Sequence, residues 1–302
     1  ESEDRLASII QQIVAGCNRL VNEAVPIVDA RLPDGSRVNV VLPPVALDGP
    51  TMTIRKFPKE KMTMERLIEL GALDEEAAGF LKLLVKARYN IFVSGGTGAG
   101  KTTFLNALSD YIPKTERIIT IEDSAELQLR DVENLVRMET RNSNVEGENA
   151  ITIRDLIKAS LRMRPDRVIV GEVRDSAAID MLTAMNTGHD GSLSTGHANS
   201  AYDMITRLES MVLMGIELPM EAVRRQIASA VDIIIHLGRL RDGSRKVTEI
   251  CEVTGIENGQ VQLMSLYEFE EQAEKGRKTV QGHLKKKAAL QNKEKLKRAG
   301  LE

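Results

Sequence analysis

The feature that most constrains the fold is a glycine-rich segment, Gly95-Gly96-Thr97-Gly98-Ala99-Gly100-Lys101-Thr102-Thr103. It follows the apolar run at 91–93 and precedes a segment with helical spacing. Between a strand and a helix, such a loop turns its backbone N–H groups around phosphate oxygens, and the positive end of the helix points to the same place. Lys101 is expected to reach the β- and γ-phosphates, and the Thr102 hydroxyl to ligate Mg²⁺. A flexible surface turn is the alternative, but these features rarely coincide by chance.

The sequence beyond residue 62 alternates short apolar runs with helical patterns. Strands are expected near 91–93, 117–121, 135–138 and 168–170, with helices near 101–108, 154–162 and 176–185. This alternation is typical of a mostly parallel sheet covered by helices. Thr152 and Asp155 have the spacing of a capping box at the start of one of these helices. The predicted fold class is therefore α/β.

A smaller unit is predicted before this sheet. A helical pattern covers 4–24, two β-prone runs flank the turn residues Asp34-Gly35, and a third strand is expected over 51–57. We therefore predict an N-terminal α+β domain at 1–58, a charged linker at 59–62, and the larger domain at 63–271. Residues 272–302 are rich in Lys, Gln and Ala. We expect this tail to be either helical or disordered.

Charge and composition restrict the classes of partner. The net charge is −3, yet the tail holds ten Lys or Arg against three acids, so it carries +7 and the remainder carries −10. An acidic body with 3% aromatic residues disfavours nucleic acid as the main partner. Only two cysteines are present, which favours a reducing, cytosolic setting without a disulfide. No apolar run is long enough to span a bilayer.

Carboxylates end two of the predicted strands. Glu172 follows the run Val168-Ile-Val-Gly, and Glu122, Asp123 and Glu126 follow Ile119-Thr-Ile. The carboxyl ends of parallel strands lie beside a phosphate loop, so these acids can hold a hydrated Mg²⁺ or position the attacking water. A solvated acidic turn is the alternative for each of them.

Histidines and arginines supply further candidates. His189 and His197 share one glycine-studded segment, and we expect His197 to donate a hydrogen bond to a γ-phosphate. A zinc site there lacks ligands at short spacing. Arginines stabilise charge on a transferring phosphoryl group, sometimes from another domain or subunit. The candidate arginines are Arg55, Arg137, Arg141, Arg162 and Arg164, although a solvated or ion-paired role is the alternative for each.

Together these motifs resemble the type II/type IV secretion superfamily ATPases, most closely the CpaF/TadA-type ATPases of the tight-adherence (Flp) pilus. The resemblance covers about residues 13 to 267 and rests on several motifs besides the phosphate loop. They are 28–39, Thr53-Ile-Arg-Lys-Phe57, Thr120-Ile-Glu-Asp-Ser-Ala-Glu-Leu127, 163–174 and Met185-Asn-Thr-Gly-His-Asp-Gly191.

The resemblance implies a cytoplasmic, homohexameric ATPase that binds ATP and Mg²⁺ between a PAS-like N-terminal domain and a RecA-like domain. By the same resemblance, Glu126 ends the Asp box and activates water, while Glu172 is the Walker B acid. Residues 189–197 form the His box, and Arg55 touches the nucleotide. The implied partner is an inner-membrane platform protein of a pilus or secretion system, with peripheral membrane association.

Two other functions remain open at this stage. A RecA-like motor that translocates nucleic acid would show nucleic-acid-stimulated hydrolysis with a steep salt dependence. A nucleotide-sensing module would bind ATP tightly without significant turnover. The sequence does not separate pilus extension, retraction and secretion.

Overall fold

The computed structural model describes residues 3–56, 61–129, 131–141, 149–272 and 279–302. The chain divides into two compact units, Glu1–Lys61 and Met62–Glu302. Each unit has its own apolar core.

The N-terminal unit packs one helix on a three-stranded antiparallel sheet. Its elements are α1 (Glu3–Gly16), β1 (Ile27–Arg31), β2 (Arg37–Val41) and β3 (Thr51–Arg55), with strand order β1-β2-β3. The hairpin predicted around Asp34-Gly35 is confirmed, and the Asp34 carboxylate accepts a hydrogen bond from the backbone N–H of Ser36 at 2.9 Å. The predicted helix over 4–24 was too long. It ends at Gly16 because Asn18 adopts a left-handed backbone with φ of 53°.

The larger unit contains a nine-stranded mixed sheet with the strand order β12-β11-β10-β9-β4-β8-β7-β5-β6. Strands β4 to β9 run parallel to their neighbours, and β9 to β12 form an antiparallel extension. The strands are β4 (Ile91–Gly95), β5 (Arg117–Glu122), β6 (Asn134–Glu139), β7 (Arg167–Val170), β8 (Leu193–His197), β9 (Ile233–Arg239), β10 (Arg245–Glu257), β11 (Gln260–Glu271) and β12 (Gly282–Lys286).

Helices cover both faces of this sheet, so most of its strands are buried. The helices are α2 (Met64–Glu69), α3 (Glu75–Lys86), α4 (Lys101–Ser109), α5 (Ile153–Ser160), α6 (Ala177–Asn186), α7 (Ala201–Gly215), α8 (Met220–Ala230) and α9 (Glu294–Ala299). Helices α2, α3, α4 and α9 pack on one face, and α5 to α8 on the other. The capping box of Thr152 and Asp155 is confirmed at the start of α5. The α/β class predicted from the sequence is confirmed.

The C-terminal segment differs from the predicted helical or disordered tail. Its described part contributes the edge strand β12 and the short helix α9. Lys285 and Lys287 form ion pairs with Glu270, and Lys295 pairs with Asp190 and Asp232. Much of the basic charge is therefore balanced by carboxylates of the same chain. In the described parts of the chain, no helix combines the length and apolar character needed to cross a membrane.

Candidate functional site

The candidate site lies where four adjacent strands of the sheet end. The strands β4, β8, β7 and β5 are neighbours in this order, and one residue of the site lies at or just after the carboxyl end of each strand. Gly95 ends β4, His197 ends β8, Glu122 ends β5, and Glu172 follows β7 by two residues. Residues far apart in sequence thus meet at the edge where open α/β sheets bind ligands.

The glycine-rich loop needs glycine at two of its positions for distinct reasons. Gly100 caps α4 with φ of 94°, a left-handed conformation that residues with a Cβ rarely adopt. A Cβ on Gly95 would lie 2.5 Å from the backbone oxygen of Leu237 on the neighbouring strand β9. Replacing either glycine by a residue with a Cβ would therefore shift the backbone that turns toward the site.

Lys101 lies inside the loop. Its side chain is largely buried, and its Nζ donates hydrogen bonds to the backbone oxygens of Gly95 at 3.0 Å and Gly96 at 3.2 Å. Burial lowers the pKa of Lys101, while the nearby Glu172 carboxylate acts in the opposite direction. The ammonium group is therefore held by the loop, and the negative charge of Glu172 favours its protonated form.

His197 lies between Lys101 and Glu172. Its Nδ1 is 3.3 Å from Lys101 Nζ, and its Nε2 is 2.8 Å from Oε1 of Glu172. Burial lowers the pKa of His197, which favours the neutral ring near pH 7. With the proton on Nε2, Nδ1 accepts from the Lys101 ammonium and the N–H lies on the side of Glu172. The three groups form a continuous polar series at the mouth of the loop.

Glu172 retains a free acceptor in this arrangement. Its Oε2 accepts a hydrogen bond from Nη2 of Arg174 at 2.7 Å. Its Oε1 is buried and accepts no hydrogen bond of proper geometry from the described residues, despite the nearby His197 ring. An oxygen of this kind suits Mg²⁺, which prefers carboxylates, waters and phosphate oxygens. Across the described parts of the chain, no cluster of three or more His, Cys, Asp or Glu is arranged to hold a metal alone.

Glu122 is buried at the end of β5, and its carboxylate organises the segment that follows. Oε2 accepts hydrogen bonds from the backbone N–H groups of Glu126 at 2.7 Å and Leu127 at 2.9 Å. Burial raises the pKa of Glu122 even though these two bonds favour its charged form. A Cβ on Gly171 would lie 3.0 Å from Glu122 Cγ, so the end of β7 passes close to this carboxylate. Glu126 is half-buried on the tethered segment.

Two of the predicted arginines lie near these acids. Arg137 on β6 donates from Nη2 to the backbone oxygen of Leu127 at 3.2 Å, and its charge acts to lower the pKa of Glu122. Arg141 donates from Nε to the backbone oxygen of Asn149 at 2.9 Å. Arg141 also lines a cavity of about 410 Å³ whose wall includes Glu172 and Arg174.

The remaining predicted residues have varied positions. Thr102 is half-buried in the first turn of α4, and Thr97 and Thr103 are exposed. Arg55 ends β3 in the N-terminal unit, so its contact with nucleotide stays a prediction. The structure does not bring His189 to the phosphate loop. His189 precedes β8 and lies at the opposite edge of the sheet, where its Nδ1 is 3.3 Å from the oxygen of Ala184.

Arg162 and Arg164 are likewise not brought to the loop. Both precede β7 and therefore stand at the amino edge of the parallel strands, whereas the loop follows the carboxyl end of β4. They lie away from this chain's own loop, so a role toward a phosphoryl group stays a prediction, for the site of a neighbouring subunit.

Sequence reasoning missed four residues of this region. Arg174 contacts Glu172, and Arg245 donates from Nε to the loop oxygen of Gly98 at 2.7 Å. His236 Nδ1 lies 2.9 Å from the hydroxyl of Ser94, and burial lowers the pKa of this histidine. Asn106, one turn after Thr102 on α4, contacts the Glu126 segment. Only Asn106 had a local signal, because its spacing from Thr102 places both on one side of the helix.

Comparison with known proteins gives consistent matches over nearly the whole chain. Residues 1–299 match the family described as Type II/IV secretion system protein. The conjugal transfer protein TrbB of Rhizobium radiobacter is 35% identical over 250 residues, covering 82% of this chain and 73% of that protein. The type IV secretion system protein PtlH of Bordetella pertussis is 35% identical over 280 residues, covering 84% of this chain and 82% of that protein.

A solved structure agrees with these matches. The VirB11 ATPase from the Brucella suis type IV secretion system, determined in complex with sulphate, superimposes with a TM-score of 0.53 and 29% identity over 83% of each chain. The predicted RecA-like domain preceded by a small α+β domain is confirmed.

Proposed function

The chain belongs to the Type II/IV secretion system protein family and is an ATPase, and we propose that its Mg²⁺-dependent hydrolysis of ATP powers protein secretion or pilus assembly. The observation that carries this proposal is the contact series of Lys101, His197 and Glu172 at the glycine-rich loop. It combines a buried cation, a neutral imidazole and a carboxylate whose Oε1, 2.8 Å from His197 Nε2, accepts no hydrogen bond of proper geometry from the described residues.

Each group has a proposed role in hydrolysis. The loop N–H groups and Lys101 bind the β- and γ-phosphates, and the Nε2–H of His197, which lies toward Glu172 without nucleotide, turns to donate to the γ-phosphate. Thr102 and Glu172 would hold Mg²⁺, which neutralises charge on the phosphates when bound. Glu126 orients and deprotonates the attacking water, and Arg137 and Arg141 stabilise the developing charge.

The assembly is part of the same proposal. We place the chain in the tight-adherence pilus branch of the family, acting as a cytoplasmic homohexamer at the inner membrane with a platform protein as its partner. Arg55 of the N-terminal unit would touch nucleotide. Because ion pairs within the chain neutralise several basic residues of the C-terminal segment, membrane association is proposed through the partner and not through lipid.

Two variants separate the proposed roles of the acids. Glu126→Gln should slow the chemical step by about 10²- to 10⁴-fold while ATP binding is retained, the range expected when general-base catalysis is lost. Glu172→Gln should instead raise the Mg²⁺ concentration needed for half-maximal rate. If Glu126→Gln hydrolyses ATP at the wild-type rate, the proposed role of Glu126 is wrong.

The alternatives give different results in the same ATPase assay. Single-stranded and duplex DNA should leave the rate unchanged, whereas stimulation that falls steeply with salt would favour a nucleic-acid motor. Tight ATP binding with negligible turnover would favour a nucleotide-sensing module. The rate should rise with protein concentration in parallel with the mass measured by light scattering, because a neighbouring subunit contributes to the proposed site.

A further inference from the structure

The segment Ala125–Gln128 has no regular secondary structure, yet side chains hold its backbone at every residue. Four consecutive backbone N–H groups donate to side-chain oxygens, at distances between 2.7 and 3.3 Å. The acceptors are Glu139 for Ala125, Glu122 for Glu126 and Leu127, and Asn106 for Gln128. We name this set of contacts the acceptor cradle.

The acceptor cradle draws on three separate elements of the larger unit. Glu122 ends β5, Glu139 ends β6, and Asn106 lies in the middle of α4. Arg137 on β6 completes it by donating to the backbone oxygen of Leu127. An irregular segment held this way at several points loses much of the freedom that a loop ordinarily has.

Asn106 connects this segment to the phosphate loop. It lies on the helix that begins at Lys101, and its Oδ1 accepts from the Gln128 N–H at 3.0 Å. Residues four apart share one side of a helix, so Asn106 lies one turn beyond Thr102 on the same side. The contact therefore links the helix that carries Lys101 and Thr102 to the segment that carries Glu126.

We propose that Asn106 and Glu122 are positioning residues that fix the Glu126 carboxylate relative to the bound triphosphate. This inference rests on the proposed role of Glu126 in activating water. Glu122, one of the acids expected to be catalytic, acts through backbone N–H groups of the next segment. Its buried carboxylate supplies two of the four contacts of the acceptor cradle, and Asn106 supplies the one that starts from the phosphate-loop helix.

The first test is Asn106→Ala, with ATPase kinetics measured on the full chain. Loss of the contact should lower kcat by about 10- to 100-fold, because a small misplacement of a catalytic group has effects of this size. KM should stay near the wild-type value, since the side-chain contact that is lost is with Gln128 and not with a phosphate-binding group. Asn106→Asp keeps an acceptor oxygen and should restore much of kcat. Asn186→Ala, which removes an exposed side-chain contact at the end of α6, is the matched control.

The second test is a double-variant comparison in the Glu126→Gln background. If Asn106 acts through Glu126, Asn106→Ala should produce little further loss of kcat there. An undiminished loss in that background would overturn the inference while leaving the role of Glu126 intact. A wild-type rate for Glu126→Gln alone would instead overturn the proposed function, so the two failures are distinguishable.

The third test separates positioning from catalysis for Glu122. Glu122→Gln keeps an acceptor oxygen for the two N–H groups but cannot act as a base or as a charged ligand. This variant should keep most of the wild-type kcat, and amide hydrogen exchange over 125–128 should stay slow. A loss of kcat as large as that of Glu126→Gln would contradict the positioning role.

Discussion

Replacing Lys101 by methionine tests the phosphate site without removing the volume that the side chain fills. Lys101 is 8% exposed, and burial lowers its pKa, so its charge contributes little to folding. Glu172 keeps Arg174 as an ion-pair partner in the variant, because Arg174 Nη2 lies 2.7 Å from Oε2. No unpaired buried charge is created, but the oxygens of Gly95 and Gly96 lose their Lys101 donor, so we expect the free energy of unfolding without nucleotide to fall by about 1 to 3 kcal/mol.

ATP binding should weaken as well. A hydrogen bond to a charged group contributes about 1.5 to 3 kcal/mol, so the Lys101→Met variant should bind ATP about 10- to 150-fold more weakly. At nucleotide concentrations far above both dissociation constants, the nucleotide stabilises the variant less by the same energy. For a domain of this size, that difference corresponds to a Tm shift smaller by roughly 3 to 12 °C.

The assay is thermal unfolding with and without Mg²⁺ and a nonhydrolysable ATP analogue, together with steady-state ATPase rates. Lys86→Met on α3 is the matched control, since it removes the same charge from an exposed position. The control should keep both the nucleotide-induced Tm shift and turnover. A Lys101→Met protein that retained either one at the wild-type level would refute the assignment of the phosphate site.

Three further predictions concern buried polar groups. The folded-state pKa of His236 is lowered mainly by burial, which favours the neutral ring. The wild type should therefore lose stability as pH falls below about 6.5. His236→Gln should lose less stability than the wild type between about pH 7.5 and about pH 5.5, as measured by urea unfolding. Asn90→Ala removes the partners of three buried backbone groups, in Ala230, Gly191 and Ser192, and should lower the free energy of unfolding by about 3 kcal/mol or more in denaturant titrations. Lys295→Ala leaves the largely buried Asp232 carboxylate without its ion-pair partner, so it should lower the free energy of unfolding by about 3 kcal/mol in the same titration. Unchanged stability would show that this ion pair is dispensable.

The phosphate loop and the parallel strands β4, β5, β6 and β7 could be predicted because their signals are local, whereas β8 and β9 were not predicted. Buried parallel strands are apolar runs, and the loop needs glycine and Lys101 at fixed spacing. The antiparallel extension was harder to predict. Strands β10 and β11 carry charged residues, some of them buried, such as Glu252. The basic residues in and just after β12 have acidic partners on β11, since Lys285 pairs with Glu270 and Lys287 with Glu268 and Glu270. Only the tertiary contact explains that composition.

The candidate site shows a similar division. Glu122 and Glu172 were placed correctly at strand ends because parallel strands share one edge for their carboxyl ends. His189 and His197 were grouped because they are close in sequence, but β8 lies between them. A strand rises about 3.3 Å per residue, so the two histidines lie beyond opposite ends of most of β8 and are separated by about the length of that strand. The contact of Arg245 with the loop joins distant segments and has no sequence signal of its own. The spacing of Asn106 from Thr102 indicates its side of the helix but not its partner Gln128.

The most direct measurement of the central claim is a structure of the protein with Mg²⁺ and a nonhydrolysable ATP analogue. We expect the γ-phosphate to lie within hydrogen-bonding distance of Lys101 Nζ, the cation to lie beside Thr102 and Glu172, and the Glu126 carboxylate to face the γ-phosphate. A triphosphate bound away from the glycine-rich loop, or a Glu126 side chain turned away from it, would show that the proposed site is wrong.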